Sequence, residues 1–174
     1  LDCRFRPKGA KGWQDWPKRF RNPASAAVAK FATENPDEIL FHAFVEWLAQ
    51  ESMATVQQRA LAAGMRVGLV GDLAVGVDPG GSDCWSLGDA MLRGLSIGAP
   101  PDPLGPLGQN WSITSFSPDG LRRTGYAAWI AMIRAALANC GGLRIDHAFG
   151  LARLWVIPEG GGPADGAYLA YPFE

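Results

Sequence analysis

Two short apolar stretches, each broken by or flanked with glycine, constrain this chain more than any other feature. They are "MRVGLVGDLAVGV" from Met65 to Val77 and "LRIDHAF" from Leu143 to Phe149. Each is too short for a helix and too apolar for a surface loop, so each reads as a buried parallel strand, the first from about Met65 to Leu73. Between them lies a helical pattern, roughly Leu121 to Asn139, with Tyr126, Trp129, Ile130, Ile133 and Leu137 at helical spacing and Gly141 and Gly142 closing it. Strand, loop, helix, strand is a β-α-β unit, whose two strands lie parallel in one sheet by a right-handed crossover. The fold class is therefore α/β. The loop after the first strand and the residues that end the second then emerge at one edge, which in a barrel is where active sites sit.

The rest of the chain fits around that unit. Residues 1 to 22 mix Arg, Lys, Gly, Pro and Trp without periodicity and read as loop, with Trp13 and Trp16 needing a surface to bury against. A short helix is expected from Pro23 to Glu34, where alanines follow a proline near the start. The longest helix runs from Pro36 to Ala63, with Ile39, Leu40, Phe44, Trp47, Leu48, Val56 and Leu61 at helical spacing and Gly64 at its end. Asp78 to Ser117 is dense in Gly, Pro, Asp and Trp and is expected to be loop, with a helical turn or two around Leu87 to Leu95. Loops of that length usually carry function.

Composition excludes several classes. With 48% hydrophobic and 19% charged residues the chain is an ordinary globular one rather than disordered. A net charge of -1 offers no sequence-wide attraction for phosphate backbones or anionic lipids. Its longest apolar stretch, Ile39 to Leu48, is interrupted by His42 and Glu46 and is too short to span a bilayer. Neither nucleic acid nor membrane is an expected partner. Three distant cysteines, Cys3, Cys84 and Cys140, suit a reducing cytoplasm. With two histidines and no closely spaced cysteine pair, no metal or other cofactor is expected. Leu1 in place of an initiator Met leads us to expect an internal piece of a longer chain.

Weak motifs carry little. "GLVGDLAVG" lacks the spacing of a dinucleotide loop and the lysine of a P-loop, and "NWS" at Asn110 to Ser112 matches a glycosylation acceptor without evidence of secretion. Asp78, Asp83 and Asp89 fall short of a calcium-loop pattern and read as turn-capping residues. "GGLRIDHAFG" is more specific. Strand alternation puts Arg144 and Asp146 on one face, where a guanidinium can aim a carboxylate for attack on a glycosidic carbon. On spacing alone, such a pair more often merely orders the strand end as a structural ion pair, and a lone His147 is more often a hydrogen-bonded packing residue.

Beyond those local readings, nearly the whole chain resembles the amylomaltase (4-alpha-glucanotransferase) family of alpha-amylase-related barrels. "GDLAVGVDPGGSDCW", "GAPPDPLGPLGQNW", "LRIDHAFGLARLWVIPEG" and "GAYLAYPFE" occur in family order. The resemblance implies a partial (β/α)8 TIM barrel, about strands 3 to 4 with their helices and long βα loops. Residues 1 to 174 would be a piece of one catalytic barrel domain, with 1 to 22 a loop or insertion. It implies transfer of alpha-1,4-glucan segments between maltodextrins in the cytoplasm, with a maltooligosaccharide or alpha-glucan as substrate. By residue matching, Asp146 is the covalent nucleophile, Arg144 orients it, and His147 contacts sugar hydroxyls. Asp72 lies beside the site, and Asp102, Gln109 and Trp111 match positions that contact glucose units. A core tryptophan is the other reading of Trp111. Where the family usually has glycine after this tryptophan, the chain has Ser112, a departure that bears on the local backbone. The family's acid/base glutamate is expected beyond Glu174, with the rest of the barrel. Glu159 and Glu174 do not match it and read as solvated loop groups.

Overall fold

The structure is a computed structural model that describes residues 1–171. Its elements follow in chain order. After a single helical turn, α1 (Asp2–Phe5), come α2 (Ala26–Glu34), α3 (Pro36–Ala62), β1 (Val70–Leu73), α4 (Ser82–Leu87), β2 (Leu95–Ala99) and β3 (Gln109–Ile113). Then follow α5 (Pro118–Arg123), α6 (Ala127–Leu137), β4 (Gly142–Ile145), β5 (Arg153–Pro158) and β6 (Ala167–Ala170). Short 3-10 turns occupy Trp13–Asp15, Lys18–Phe20, Gly88–Ala90, Ala148–Leu151 and Pro163–Asp165.

The expected parallel unit is present. β1 and β4 pair in parallel, with Val70 opposite Gly142 and Asp72 opposite Arg144, and α6 packs on both strands. Small residues permit that approach: a Cβ on Gly71 would stand 3.3 Å from Cys140 Sγ and 3.4 Å from Leu143 Cδ1. β1 begins later than its apolar run suggests, at Val70 rather than Met65. Gly68 takes φ +76°, and the Gln57 side-chain amide, reaching from α3, occupies the backbone groups on either side. Its Nε2 donates to the Val67 carbonyl at 3.0 Å, and its Oε1 accepts from Leu69 N at 2.6 Å. The helix expected over residues 121–139 is also shorter. Gly125 and Tyr126 adopt φ of 58° and 61°, a left-handed pair that separates α5 from α6.

A second sheet lies where the sequence suggested loop. It is antiparallel with strand order β3-β2-β5-β6. The residues from Asp78 to Ser117 thus hold α4 and two strands, and the only stretch of β2–β3 connection left as loop is 100–108. Likewise "WVIPEG" contains most of β5. These strands escape periodicity because β2 and β5 are buried on more than one side, with Ile97, Leu154 and Ile157 all essentially inaccessible. A short continuous apolar run carries no alternation to read.

Three apolar clusters form the core. Ile97, Leu154 and Val156 lie in the antiparallel sheet, packed by Val75 and Trp111. Cys84, Met91, Phe116 and Leu121 form the second, where burial, reinforced by Asp83 and Asp78, pushes the Cys84 thiol up to about 11. Trp16, Phe20 and Phe31 form the third. There the opening segment finds the surface its tryptophans need: Trp16 is 6% exposed and packs beside Trp85, whose Nε1 donates to the Phe20 carbonyl at 2.9 Å.

α2 starts at Ala26 because Ser25 caps it, its Oγ accepting from Val28 N at 3.3 Å. α3 matches its sequence pattern closely, with Pro36 in its first turn and Gly64 in a left-handed conformation just past its end. Yet it contains no buried residue, and Leu40, Phe44, Trp47 and Leu48 are each about half exposed or more. None of its residues belongs to the three clusters. Among the described residues no helix is long and apolar enough to cross a membrane.

Candidate active site

Parallel pairing sets the first half of the site. Because Asp72 and Arg144 are register partners, their strands end side by side. Pairing continues one residue past β4, where Asp146 N donates to the Leu73 carbonyl at 3.0 Å. Buried Leu73 anchors that end of β1. Arg144 and Asp146 share a face, as alternation requires, and the guanidinium forks between two carboxylates. Nη1 donates to Asp72 Oδ2 at 2.5 Å and Nη2 to Asp146 Oδ1 at 2.7 Å. The side chains of Asp72, Arg144 and Asp146 remain 58%, 61% and 48% exposed. At that exposure the triad is open to a ligand and adds little to stability. A planar fork with two fixed partners does, however, set the direction in which the remaining carboxylate oxygens point.

The second half comes from the antiparallel sheet. β2 and β3 change register between Ile97 and Gly98: Gly98 faces Asn110, whereas Ile97 faces Ile113. Trp111 and Ser112 are therefore the surplus residues of a bulge, a device that re-aims a side chain. Ser112 lies at φ 56°, the left-handed region that favours glycine. Its N–H donates to Asn110 Oδ1 at 2.9 Å. Ser112 thus takes a backbone conformation that favours glycine, the residue the family usually has here. It also gives "NWS" a local structural job that no glycosylation reading suggested.

Trp111 stands between the two sheets. It packs on the Ile97, Leu154 and Val156 cluster and meets the His147 ring edge-on, with centroids 5.2 Å apart and planes at 79°. Its Nε1 donates to Gln109 Oε1 at 2.8 Å. The core reading of this tryptophan holds in part: one side of it packs on the cluster, and the other meets His147 at the strand end. His147 directly follows Asp146, has φ 50° and ψ 56°, and leads into the Ala148–Leu151 turn, where Gly150 N donates to its carbonyl at 2.7 Å.

The structure thus brings together Asp72, Arg144 and Asp146, and separately Gln109, Trp111 and His147, with the adjacent Asp146 and His147 joining the two groups. Asp102 is held elsewhere, in the 100–108 loop. Its Oδ1 accepts from Leu104 N at 2.8 Å and Gly105 N at 2.5 Å, a turn within its own segment. Glu159 lies exposed just past β5, tied by its N–H to the Gly94 carbonyl, while Glu174 lies outside the described residues. Asp78 caps a turn through Gly80 N at 2.8 Å, and Asp89 pairs with Arg93 at 2.9 Å. Among the described residues no group of three or more His, Cys, Asp or Glu could hold a metal ion. Sequence reasoning missed Asn110 and Gly98, whose parts in the bulge depend on strand pairing rather than on residue type.

Comparison with known proteins gives a consistent result. A family model described as 4-alpha-glucanotransferase matches residues 4–174. The chain is 45% identical over 162 residues to the 4-alpha-glucanotransferase of Mycobacterium tuberculosis, covering 93% of this chain and 22% of that protein. To the Haemophilus influenzae 4-alpha-glucanotransferase it is 42% identical over 163 residues, covering 94% and 23%. It therefore spans less than a quarter of the length of these curated relatives. Among solved structures it is similar to the amylomaltase from Corynebacterium glutamicum, with a TM-score of 0.75 and 42% identity over 78% of this chain and 20% of that one. The amylomaltase from Streptococcus agalactiae in complex with acarbose shares the fold, with a TM-score of 0.85 over 98% of this chain and 35% of that one at 21% identity.

Proposed function

Because the chain belongs to the 4-alpha-glucanotransferase family, we propose that it supplies the nucleophile and part of the substrate groove for retaining transfer of alpha-1,4-glucan segments. The observation that carries this reading is the Arg144 fork between Asp72 and Asp146 at the coincident ends of two parallel strands. In this reading β1 and β4 are the third and fourth strands of a (β/α)8 barrel, and residues 1–22 are an insertion against its flank. The parallel register, the packing of α6 on both strands and the shared fold with amylomaltases support it.

The chemistry follows from the geometry. Arg144 holds one oxygen of Asp146, leaving the other to attack the anomeric carbon of a bound glucan. The bond from that carbon to the leaving 4-oxygen breaks, and a glucosyl ester forms on Asp146. The leaving oxygen takes a proton from a general acid, which this reading places outside residues 1–174. The 4-hydroxyl of a second glucan then displaces Asp146, giving its own proton to that same group and regenerating the Asp146 carboxylate. His147 borders the reacting sugar. Trp111 offers an apolar ring beside it, Asp102 serves glucose units further along the groove, and Asp72 steadies Arg144. No cofactor takes part, the substrate is an alpha-glucan, and the cytoplasm is the proposed compartment.

Two measurements test this. The protein expressed from its full reading frame should redistribute maltotriose into glucose and longer chains, and Asp146→Asn should abolish it. A hydrolase would instead raise reducing ends without longer products, and a glucan-binding module would be indifferent to Asp146→Asn. A polypeptide of residues 1–174 alone, lacking the acid/base, should transfer nothing; glucose released from maltodextrins by it would refute the division of labour proposed here.

A further inference from the structure

Three non-glycine residues among those described have positive φ, and two of them, Ser112 and His147, flank a single contact. Ser112 follows Trp111 in the bulge, and His147 presents its ring to the Trp111 indole. A side chain in the left-handed region is disfavoured, so two such residues persist only where their surroundings over-determine them. Here the surroundings are known. The bulge turns Trp111 out of regular strand alternation, and the Asn110 side chain ties down the Ser112 N–H. Gln109 accepts from the indole's one polar hydrogen at 2.8 Å.

Gln109 is itself fixed by pairing. It faces Ala99, and a Cβ on the neighbouring Gly98 would overlap its carbonyl, so the β2 and β3 backbones approach closely there. One end of this chain of contacts is therefore rigid sheet, and the other is His147 beside Asp146. We infer that Gln109 is a positioning residue: by holding the Trp111 indole it sets the orientation of the His147 ring beside the nucleophile. The core packs one side of the indole, but Gln109 holds its polar edge; without that acceptor the ring can tilt within its packing and shift the edge-on contact at 5.2 Å. This role rests on the proposed function for its catalytic consequence and differs from the direct glucose contact that family resemblance implies for Gln109.

The test uses the protein from its full reading frame and reads the histidine ring resonances by NMR, with His147 assigned through His147→Asn. Gln109→Leu should move the His147 ring signals toward those of Trp111→Leu while His42 stays in place. Gln109→Glu, which keeps an acceptor oxygen, should leave them near the parent values. In maltotriose transfer, Gln109→Leu should lower kcat roughly tenfold with KM within about twofold, and Gln109→Glu should restore most of it. If Gln109→Leu leaves the ring signals unmoved, or raises KM at unchanged kcat, Gln109 touches sugar directly and the inference fails. If the parent protein transfers no glucan, the proposed function falls, while the ring signals still decide whether Gln109 governs His147.

Discussion

Replacing Arg144 by Met separates the two readings of the Arg-Asp pair, because a structural ion pair and an aiming device respond oppositely. The fork makes contacts of 2.5 and 2.7 Å to side chains that are roughly half exposed. In the dielectric of water each contact carries about 1.6 kcal/mol of Coulomb energy. Ordering a long side chain and competing hydration offset most of that, so measured values for exposed pairs fall at about 0–1 kcal/mol. Methionine keeps much of the aliphatic stem. Arg144→Met should therefore lower stability by no more than about 1 kcal/mol, and by less in 1 M salt, where screening acts over about 3 Å. Maltotriose transfer should respond far more strongly. A nucleophile displaced by about 1 Å loses on the order of a hundredfold in rate, and Asp146 without its guanidinium has no comparable constraint. Arg144→Lys should fall between, since a point charge cannot fork to two carboxylates. Stability would be read from denaturant midpoints and transfer from initial rates of glucose release. A loss of more than about 2 kcal/mol with unchanged transfer would refute the reasoning and make the pair a structural brace.

Three further outcomes are expected. Ser112→Gly should raise stability by about 0.5–1 kcal/mol, the relief of the left-handed conformation exceeding glycine's added chain entropy; a lowered denaturation midpoint would contradict the assignment of strain. Gly98→Ala should cost about 1–3 kcal/mol, because the new methyl meets the Gln109 backbone and stands 2.8 Å from Ile157 Cδ1, and it should disturb the His147 ring signals as well. The Cys84 thiol, raised from its ordinary 9.0 to about 11, favours the folded state while neutral. That contribution is complete below pH 9 and disappears as pH rises to 11, so the stability difference between parent and Cys84→Ala should shrink across that window. A difference independent of pH would argue against it.

What the sequence makes legible depends on whether a signal is local. Pro36 and Gly64 mark the ends of α3 because both act through their own backbone torsions. The β1–β4 unit was readable from two glycine-flanked apolar runs, and the shared face of Arg144 and Asp146 from strand alternation alone. The antiparallel sheet was not, since β2 and β5 become strands through pairing with each other and with distant neighbours. For the site, residue types and family order named Asp72, Gln109, Trp111, Arg144, Asp146 and His147, but not which of them touch. The Trp111–His147 contact depends on a two-residue bulge that no pattern within β3 announces. Asp102 illustrates the converse: a proline- and glycine-rich segment folds back on its own aspartate, a local turn that residue matching does not reveal.

The Gln57 amide has a consequence for the nucleophile's neighbourhood well beyond the strand end it touches. Its carbonyl and amino groups meet Leu69 N and Val67 O as an adjacent strand would, while Gly141 N donates to the Leu69 carbonyl from the other side at 2.9 Å, so the backbone enters β1 in a fixed phase. Phase matters because strand side chains alternate. A slip of one residue would carry Asp72 to the opposite face and set Gly71 or Leu73 across from Arg144, leaving the guanidinium with Asp146 alone. Gln57 thus works with the β4 ladder as an index pin, so a side chain on a different element helps keep Asp72 facing Arg144 beside Asp146.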